Sequence, residues 1–403
     1  MALRPGLVPY PCATKWRAGA VRVRRFFKKE AMTQTPGYRR SHARRHDVAT
    51  PSRMTRWSML AAMVGGVLLS ASGCEGVQST LAPAGESAEW IATLWWWLFG
   101  GGVAIWTIMV LLLTYASFAR RGPHDAWTVK LWVIGGGAVF PTIVLTATLI
   151  GGLWMLPDLL APPPEGSLRI DVVGEQYWWR VRYPDPPYVS SPEFEPSTDR
   201  AREETGSLPF TELANEIRLP VGEPVEFRLE SADVIHAFWI PPLGGKMDMI
   251  PGRRNRLTLL PTKTGIYRGQ CAEYCGESHA WMALDVVVVE KEEFERWLAE
   301  QRKAASPPTE PLAARGQEIF LSRGCGACHA IRGTPADGVV GPDLTHVGTR
   351  LRIGASRLDA ELESFHLWIA QPDAVKPGVH MPAFHMLPDD ELAALSAYLE
   401  GLR

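Results

Sequence analysis

Two short segments hold the residues best suited to chemistry. Cys271-Ala-Glu-Tyr-Cys275-Gly-Glu-Ser-His279-Ala-Trp-Met282 places two thiols, an imidazole and a thioether within twelve residues. Soft sulfur donors combined with imidazole suit copper. A second imidazole is available from His236, placed at the end of the strand-like Asp233-Val-Ile-His236-Ala-Phe-Trp-Ile-Pro241. One Cys with two His and a Met makes a mononuclear blue-copper site. A second Cys changes that chemistry, because two thiolates can bridge two metals and spread one electron over both. Cysteines four apart also fit a disulfide outside the cytoplasm or a zinc site. The His and Met at fixed offsets favour copper.

The second segment is Cys325-Gly-Ala-Cys328-His329, the C-x-x-C-H spacing of covalent haem attachment. The two thiols add to the haem vinyl groups and His329 becomes the proximal iron ligand. A thiol redox pair is the alternative reading, and the flanks argue against it. Gly316-Gln-Glu-Ile-Phe320 reads as helix before the motif, and a C-terminal helix begins after Pro388. Leu392, Leu395, Leu399 and Leu402 give that helix one apolar face. The motif leaves the distal ligand open among His380, Met381, His385 and Met386.

These segments must be held by the rest of a 403-residue chain, long enough for two or three domains. The net charge of -1 argues against nucleic acid as a partner. Residues 1–53 are nevertheless basic, with thirteen Lys and Arg against Glu30 and Asp47. They read as a disordered arm or a misassigned leader, because Met54 opens a conventional signal over residues 54–73. Cys74 follows small residues and is either a lipidation site or a bystander.

Trp90 to Phe118 and Leu131 to Pro157 are charge-free runs of 29 and 27 residues. Each exceeds the roughly 20 apolar residues needed to span a bilayer, so residues 87–160 read as a hairpin of two membrane helices. Arg120, Arg121 and Lys130 in the connecting loop put that loop in the cytoplasm and the bulk of the chain outside. From Leu168 the pattern turns to strands: Glu216 to Leu219, Pro224 to Leu229, Asn255 to Leu260 and Leu284 to Val289, punctuated by Gly and Pro. Tyr183 to Phe210, rich in Pro, Ser and Glu, reads as a surface insertion. A short helix over Glu292 to Arg302 is followed by a semi-rigid linker at 303–312 and a mainly helical unit at 313–403.

From Ser87 to Arg302 the chain closely resembles subunit II of haem-copper cytochrome c oxidases, and its last ninety or so residues are similar to a small class I cytochrome c. The resemblance implies a membrane two-helix hairpin, an all-β cupredoxin-like barrel over 168–302 and an all-α class I cytochrome c domain. It implies that Cys271 and Cys275 bridge both coppers of a CuA centre. His236 and Met282 would complete one copper; His279 and the Glu273 carbonyl would complete the other. The Glu273 side chain would reach a magnesium ion shared with subunit I. Small cytochromes c present a Met on a loop before the last helix, often followed by Pro, so Met381-Pro382 is favoured over Met386, which abuts the helix start.

Two positions depart from the family pattern. Tyr177 stands where a Trp is commonly the electron entry point, with Trp178 and Trp179 after it. The Glu that opens the second membrane helix and feeds a proton channel is replaced by Val129 or Lys130, so that role is not assigned. The combination resembles subunit II of a caa-type oxidase. Electrons from a cytochrome bc complex or a soluble cytochrome c would pass from haem c to CuA and on to subunit I. There oxygen is reduced to water and protons are pumped. Subunit III and membrane lipid are further expected partners, and the location is the bacterial inner membrane with both cofactor domains on the periplasmic side. A nitrous-oxide reductase would need a His-rich copper cluster, which ten His cannot supply once three are assigned. The CuA-bearing subunit of a nitric-oxide reductase fits the same motifs, as does a quinol-oxidase subunit II if the ligands bind no metal.

Overall fold

The computed structural model describes residues 76–118, 122, 125–159, 161–185, 187, 188 and 210–403. The arm 1–53, the signal 54–73, Cys74, Arg120, Arg121 and the middle of the 183–210 stretch lie outside the described residues.

Helix α1 (Glu86–Phe118) begins before its charge-free run, with Glu86 and Glu89 in the first turn, where carboxylates complement the helix dipole. Helix α2 starts at Ala126, capped by the Asp125 carboxylate, which accepts the Thr128 N–H at 3.2 Å. Its next stretch, Leu131–Val139, has wider turns, the Phe140 N–H reaching back to the Gly135 carbonyl. Pro141 explains this: its ring would crowd the carbonyl four residues earlier, and Gly135 to Gly137 let the backbone widen. The helix then runs on as Phe140–Leu159. Both helices exceed thirty residues, longer than a hydrocarbon core of about 30 Å requires. Trp97 (78% exposed), Leu113 (69%) and Trp154 (85%) leave faces that need lipid or partner helices.

The barrel consists of two five-stranded sheets. The first has the order β3-β2-β1-β5-β8, from β1 (Leu168–Glu175), β2 (Trp178–Pro184), β3 (Phe210–Ala214), β5 (Val225–Ser231) and β8 (Asn255–Leu259). The second has the order β4-β10-β9-β6-β7, from β4 (Glu216–Pro220), β6 (His236–Trp239), β7 (Met247–Met249), β9 (Gly265–Cys271) and β10 (Ala283–Val289). Two pairings, β1 with β5 and β10 with β4, are parallel, and the others are antiparallel. Alternation puts Leu168, Ile170 and Val172 of β1 inside, against Trp179, Phe227 and Phe238. Helix α3 (Lys291–Gln301) closes the barrel with Phe294 and Leu298. Tyr183 corrects the surface reading of its stretch. It is a fully buried strand residue whose hydroxyl accepts the Arg218 N–H and donates to the Arg218 carbonyl, and Phe210 at the far end is also in a strand.

The C-terminal region packs α4 (Pro311–Ser322) against α7 (Asp389–Gly401), with α5 (Leu362–Ala370) and the one-turn α6 (Pro372–Val375) beside them. A ribbon of β11 (Arg352–Ile353) and β12 (Leu358–Asp359) is its only sheet among the described residues. Phe320, Ile331, Phe365, Leu395 and Tyr398 form its core. The 303–312 segment is less of a spacer than its composition predicts. Ala305 bonds its N–H to the Arg332 carbonyl, the Lys303 carbonyl contacts the His346 ring, and Pro311 already belongs to α4.

The described residues from 76 to 403 form one unit, and a polar seam joins the barrel to the C-terminal region. Asp285, 2% exposed, accepts from Arg352 at 2.7 Å and from the Ser356 hydroxyl at 2.8 Å. Glu216 accepts the Leu351 N–H at 2.7 Å, and Arg180 donates to the Val339 carbonyl at 3.2 Å. Burial raises the Asp285 pKa, and Ser356 and Arg352 offset that only in part. Asp285→Ala would leave the buried Ser356 hydroxyl unpaired, and Arg352 with only Asp359, at a cost of about 1–3 kcal/mol. Hydrogen exchange should then show faster opening of the β11–β12 ribbon than of the barrel strands; unchanged ribbon protection would show that this pair does not hold the seam.

Candidate metal and haem centres

The first centre lies where β9 ends and β10 begins. Cys271 closes β9, its N–H bonds the Met282 carbonyl at 2.9 Å, and the loop between them carries Cys275 and His279. His236 is the first residue of β6, not the end of a strand as its flanking pattern suggests. Gly174, on β1 of the other sheet, leaves room for the His236 ring, since a Cβ there would lie 2.8 Å from the imidazole Cδ2. Trp179 packs edge-on at a centroid distance of 6.2 Å.

The donors converge. The two sulfurs are 3.8 Å apart, nearly twice the length of a disulfide. His236 Nδ1 is 3.8 Å from Cys271 Sγ, and the Glu273 carbonyl is 3.2 Å from the same sulfur. His279 Nδ1 lies 3.6 Å and Met282 Sδ 3.8 Å from Cys275 Sγ. His236, Cys271, Cys275 and Met282 are buried, while His279 and Glu273 are half-buried. Without metal the two thiols share one proton. The hydrogen bond from Cys275 holds Cys271 far below an ordinary thiol, and the resulting thiolate pushes Cys275 up. A cation placed between the sulfurs would release that last proton.

Asp233, which the sequence reading passed over, orients His236. Its Oδ1 lies 2.8 Å from Nε2, which leaves Nδ1 facing the sulfurs. Its other oxygen accepts the Gln176 N–H at 2.6 Å. Burial alone would lower the His236 pKa, but the bonds to Cys271 and Asp233 outweigh it and raise it. A carboxylate three residues before a ligand-type His was the available signal. Gln176, whose side chain donates to the Cys275 carbonyl at 2.7 Å, gave none.

The second centre is a cavity of about 380 Å³ in the C-terminal region. Cys325, Cys328, His329 and Met381 all line it, among apolar side chains that include Phe320, Trp368 and Leu395. His329 Nδ1 lies 2.8 Å from the Pro342 carbonyl, so a proton there leaves Nε2 free for a metal. Burial lowers its pKa and keeps the ring neutral. His380 also lines the cavity; Met386 does not and is 67% exposed. Arg350, another wall residue, has a buried Nε with no partner. A shaped apolar cavity with two thiols, a neutral imidazole, a thioether and an orphan guanidinium donor fits a haem with its carboxylates.

Gln176 and Tyr177, in the β1–β2 connection, and Trp178, which opens β2, form part of the wall of this cavity. Tyr177 also touches the first centre, because its hydroxyl accepts the Glu277 N–H at 3.0 Å. It is buried, and Arg180 lies over the Trp178 ring at 4.6 Å.

Residues 168–290 match the family described as cytochrome c oxidase subunit II, periplasmic domain, and residues 313–403 match cytochrome c. Cytochrome c oxidase subunit 2 of Alkalihalophilus pseudofirmus is 31% identical over 354 residues, which is 82% of this chain and 93% of that protein. The Bacillus subtilis protein of the same name is 30% identical, over 69% of this chain and 73% of its own. Among solved structures, the periplasmic domain of subunit II of cytochrome oxidase from Bradyrhizobium japonicum is 36% identical, covering 35% of this chain and 97% of that one, with a TM-score of 0.27. The relatives do not favour the nitric-oxide reductase alternative. The two domain matches imply CuA copper in the barrel and haem c in the C-terminal region. The chain belongs to the cytochrome c oxidase subunit 2 family, as a membrane-anchored electron-transfer subunit with a copper domain and a cytochrome c domain on the periplasmic side.

Proposed function

We propose that this chain relays electrons from haem c to a binuclear CuA centre and on to oxidase subunit I, where oxygen is reduced to water with proton pumping. The observation that carries the reading is the convergence of four donors on two sulfurs 3.8 Å apart, near a cavity whose wall residue Tyr177 accepts the Glu277 N–H of the copper loop. Cys271, Cys275, His236, His279, Met282 and the Glu273 carbonyl would together hold the two coppers. Cys325 and Cys328 would anchor the haem, and His329 and Met381 would supply its iron ligands. The place of Met381 on the cavity wall, and the exposure of Met386, support that choice. When bound, the two groups supply one-electron couples.

The protein's own residues do the rest. Asp233 fixes the His236 ring, and Pro342 fixes His329. Tyr177 and Trp178 lie between the two centres, so the surface that receives an external cytochrome in other members of the family serves the attached one here. A linked donor replaces diffusional docking by a high effective concentration. The upstream donor is a cytochrome bc complex or a soluble cytochrome c, and its electrons enter at the cytochrome domain. Subunits I and III, and a magnesium ion held through Glu273, complete the assembly in the bacterial inner membrane.

Metal analysis of the purified complex should give two coppers and one haem c in this chain, and the complex should consume oxygen with small reductants and no added cytochrome. Turnover that depended wholly on an added cytochrome would defeat the relay. Cys271→Ser or Cys275→Ser should abolish the near-infrared CuA band and leave the haem spectrum intact; a normal band in either variant would remove the bridging assignment. Asp233→Asn should weaken copper retention by about 10–100-fold, as losing a carboxylate partner of a ligating His does, measured by chelator competition. Met381→Ala should abolish the weak far-red band of Met-ligated ferric haem and lower its potential. Loss of that band in Met386→Ala instead would move the ligand to Met386.

A further inference from the structure

Lys376 follows α6 and is 2% exposed, among the largest fully buried side chains of the protein. Its ammonium donates across the seam to the Tyr177 carbonyl. That acceptor is neutral, and no carboxylate pairs with Lys376 among the described residues. An ammonium has three donors, and burying it beside neutral partners costs several kcal/mol. The cost shows in its acidity: burial brings the pKa down to about 7, with Arg357 adding to the effect and the Cys275 sulfur opposing it. A buried cation of this kind is usually matched by an anion. Lys376 is also a wall residue of the cavity that carries Cys325, Cys328 and His329.

The turn that carries it cannot swing away. The Pro377 carbonyl accepts from the hydroxyl of Ser278, a fully buried residue of the copper loop. Gly378 has φ +73°, and a Cβ there would lie 3.1 Å from Glu277 Oε2 and 3.2 Å from the Tyr177 ring. Lys376-Pro377-Gly378 is therefore seated on Tyr177, Glu277 and Ser278, and the ammonium is fixed between the copper loop and the cavity. Haem brings two carboxylates, the chemistry that this cation lacks.

We propose that Lys376 binds a haem c carboxylate and ties it to the Tyr177 carbonyl, so that one buried charge both seats the haem against the copper domain and biases its potential. This rests on the cavity holding haem c. The charge favours the reduced state of both centres, and most strongly that of the haem whose carboxylate it contacts, so removing it favours passage of the electron to copper.

The test uses the whole assembled complex. K376Q keeps an N–H donor for the Tyr177 carbonyl but not the charge, and K376R keeps the charge. Redox titration of both centres in K376Q should show the haem–copper electron equilibrium displaced about tenfold toward reduced copper, which is 59 mV for one electron. K376R should stay near the native equilibrium. The resonance Raman propionate mode, which reports hydrogen bonding to the haem carboxylates, should shift in K376Q and be retained in K376R. An unmoved equilibrium in K376Q or an unshifted propionate mode would each overturn the proposal. K376M takes the place of K376Q if that variant does not accumulate. Native copper and haem spectra in the parent complex keep this failure distinct from failure of the relay itself.

Discussion

Two thiols sharing one buried pocket are the constraint from which the rest of this structure follows. Sulfurs 3.8 Å apart cannot both ionise without a cation between them, and the surroundings supply the donors that would hold one. The strands make the arrangement possible. β9 and β10 are antiparallel neighbours, so the ten residues between Cys271 and Met282 are closed by a backbone bond at their base. Only the loop's own geometry then decides where its sulfurs and imidazole point. The sixth donor side, His236, comes from β6, which pairs with β9 and presents the ring to the same place. Rigid strands on both sides suit an electron-transfer centre, whose ligands must not rearrange when the charge changes.

The second centre depends on the first through the seam. Tyr177 gives its hydroxyl to the copper loop and its carbonyl to Lys376, and its neighbours wall the haem cavity. Asp285 and Glu216, buried on the second sheet of the barrel, are matched by Arg352 and by the Leu351 N–H of the C-terminal region. Polar partners of this kind fix orientation more than they add stability. For a relay, orientation is what matters, because the donor is already present at high local concentration.

Much of this was legible in the sequence because it is local. The C-x-x-x-C and C-x-x-C-H spacings, the helical repeat of Leu392, Leu395 and Leu399, and the charge-free runs each lie within one element, and composition or period reveals them. The misreadings share the opposite cause. Tyr183 sits at the edge of a Pro- and Ser-rich stretch whose average conceals one strand residue facing the core. His236 was placed at the end of a run, yet the strand starts there because its pairing with β7 begins at Met249. Asp233, Gln176, Arg350 and Lys376 acquire their roles only when distant elements meet: Lys376 is 199 residues from its acceptor. No window along the chain contains that information.

The membrane anchor is joined to the barrel with similar economy of freedom. Ahead of α1, the Ala84 N–H bonds the Pro242 carbonyl at 2.7 Å, and the Thr262 N–H bonds the Ala84 carbonyl at 2.8 Å. The Glu86 N–H then bonds the Leu260 carbonyl at 3.0 Å, and Gly85 is pressed so closely against Leu243 that a Cβ would meet its backbone. The chain thus enters its first membrane helix directly from a segment hydrogen-bonded to the barrel, with no flexible connection between them. A helix that spans a bilayer has its depth set by the lipid, so these bonds also set the height of the barrel above the surface. The copper loop is carried on strands of that same barrel. Its position relative to the membrane, and hence to any subunit embedded there, is fixed by backbone hydrogen bonds, before contacts with that subunit are counted.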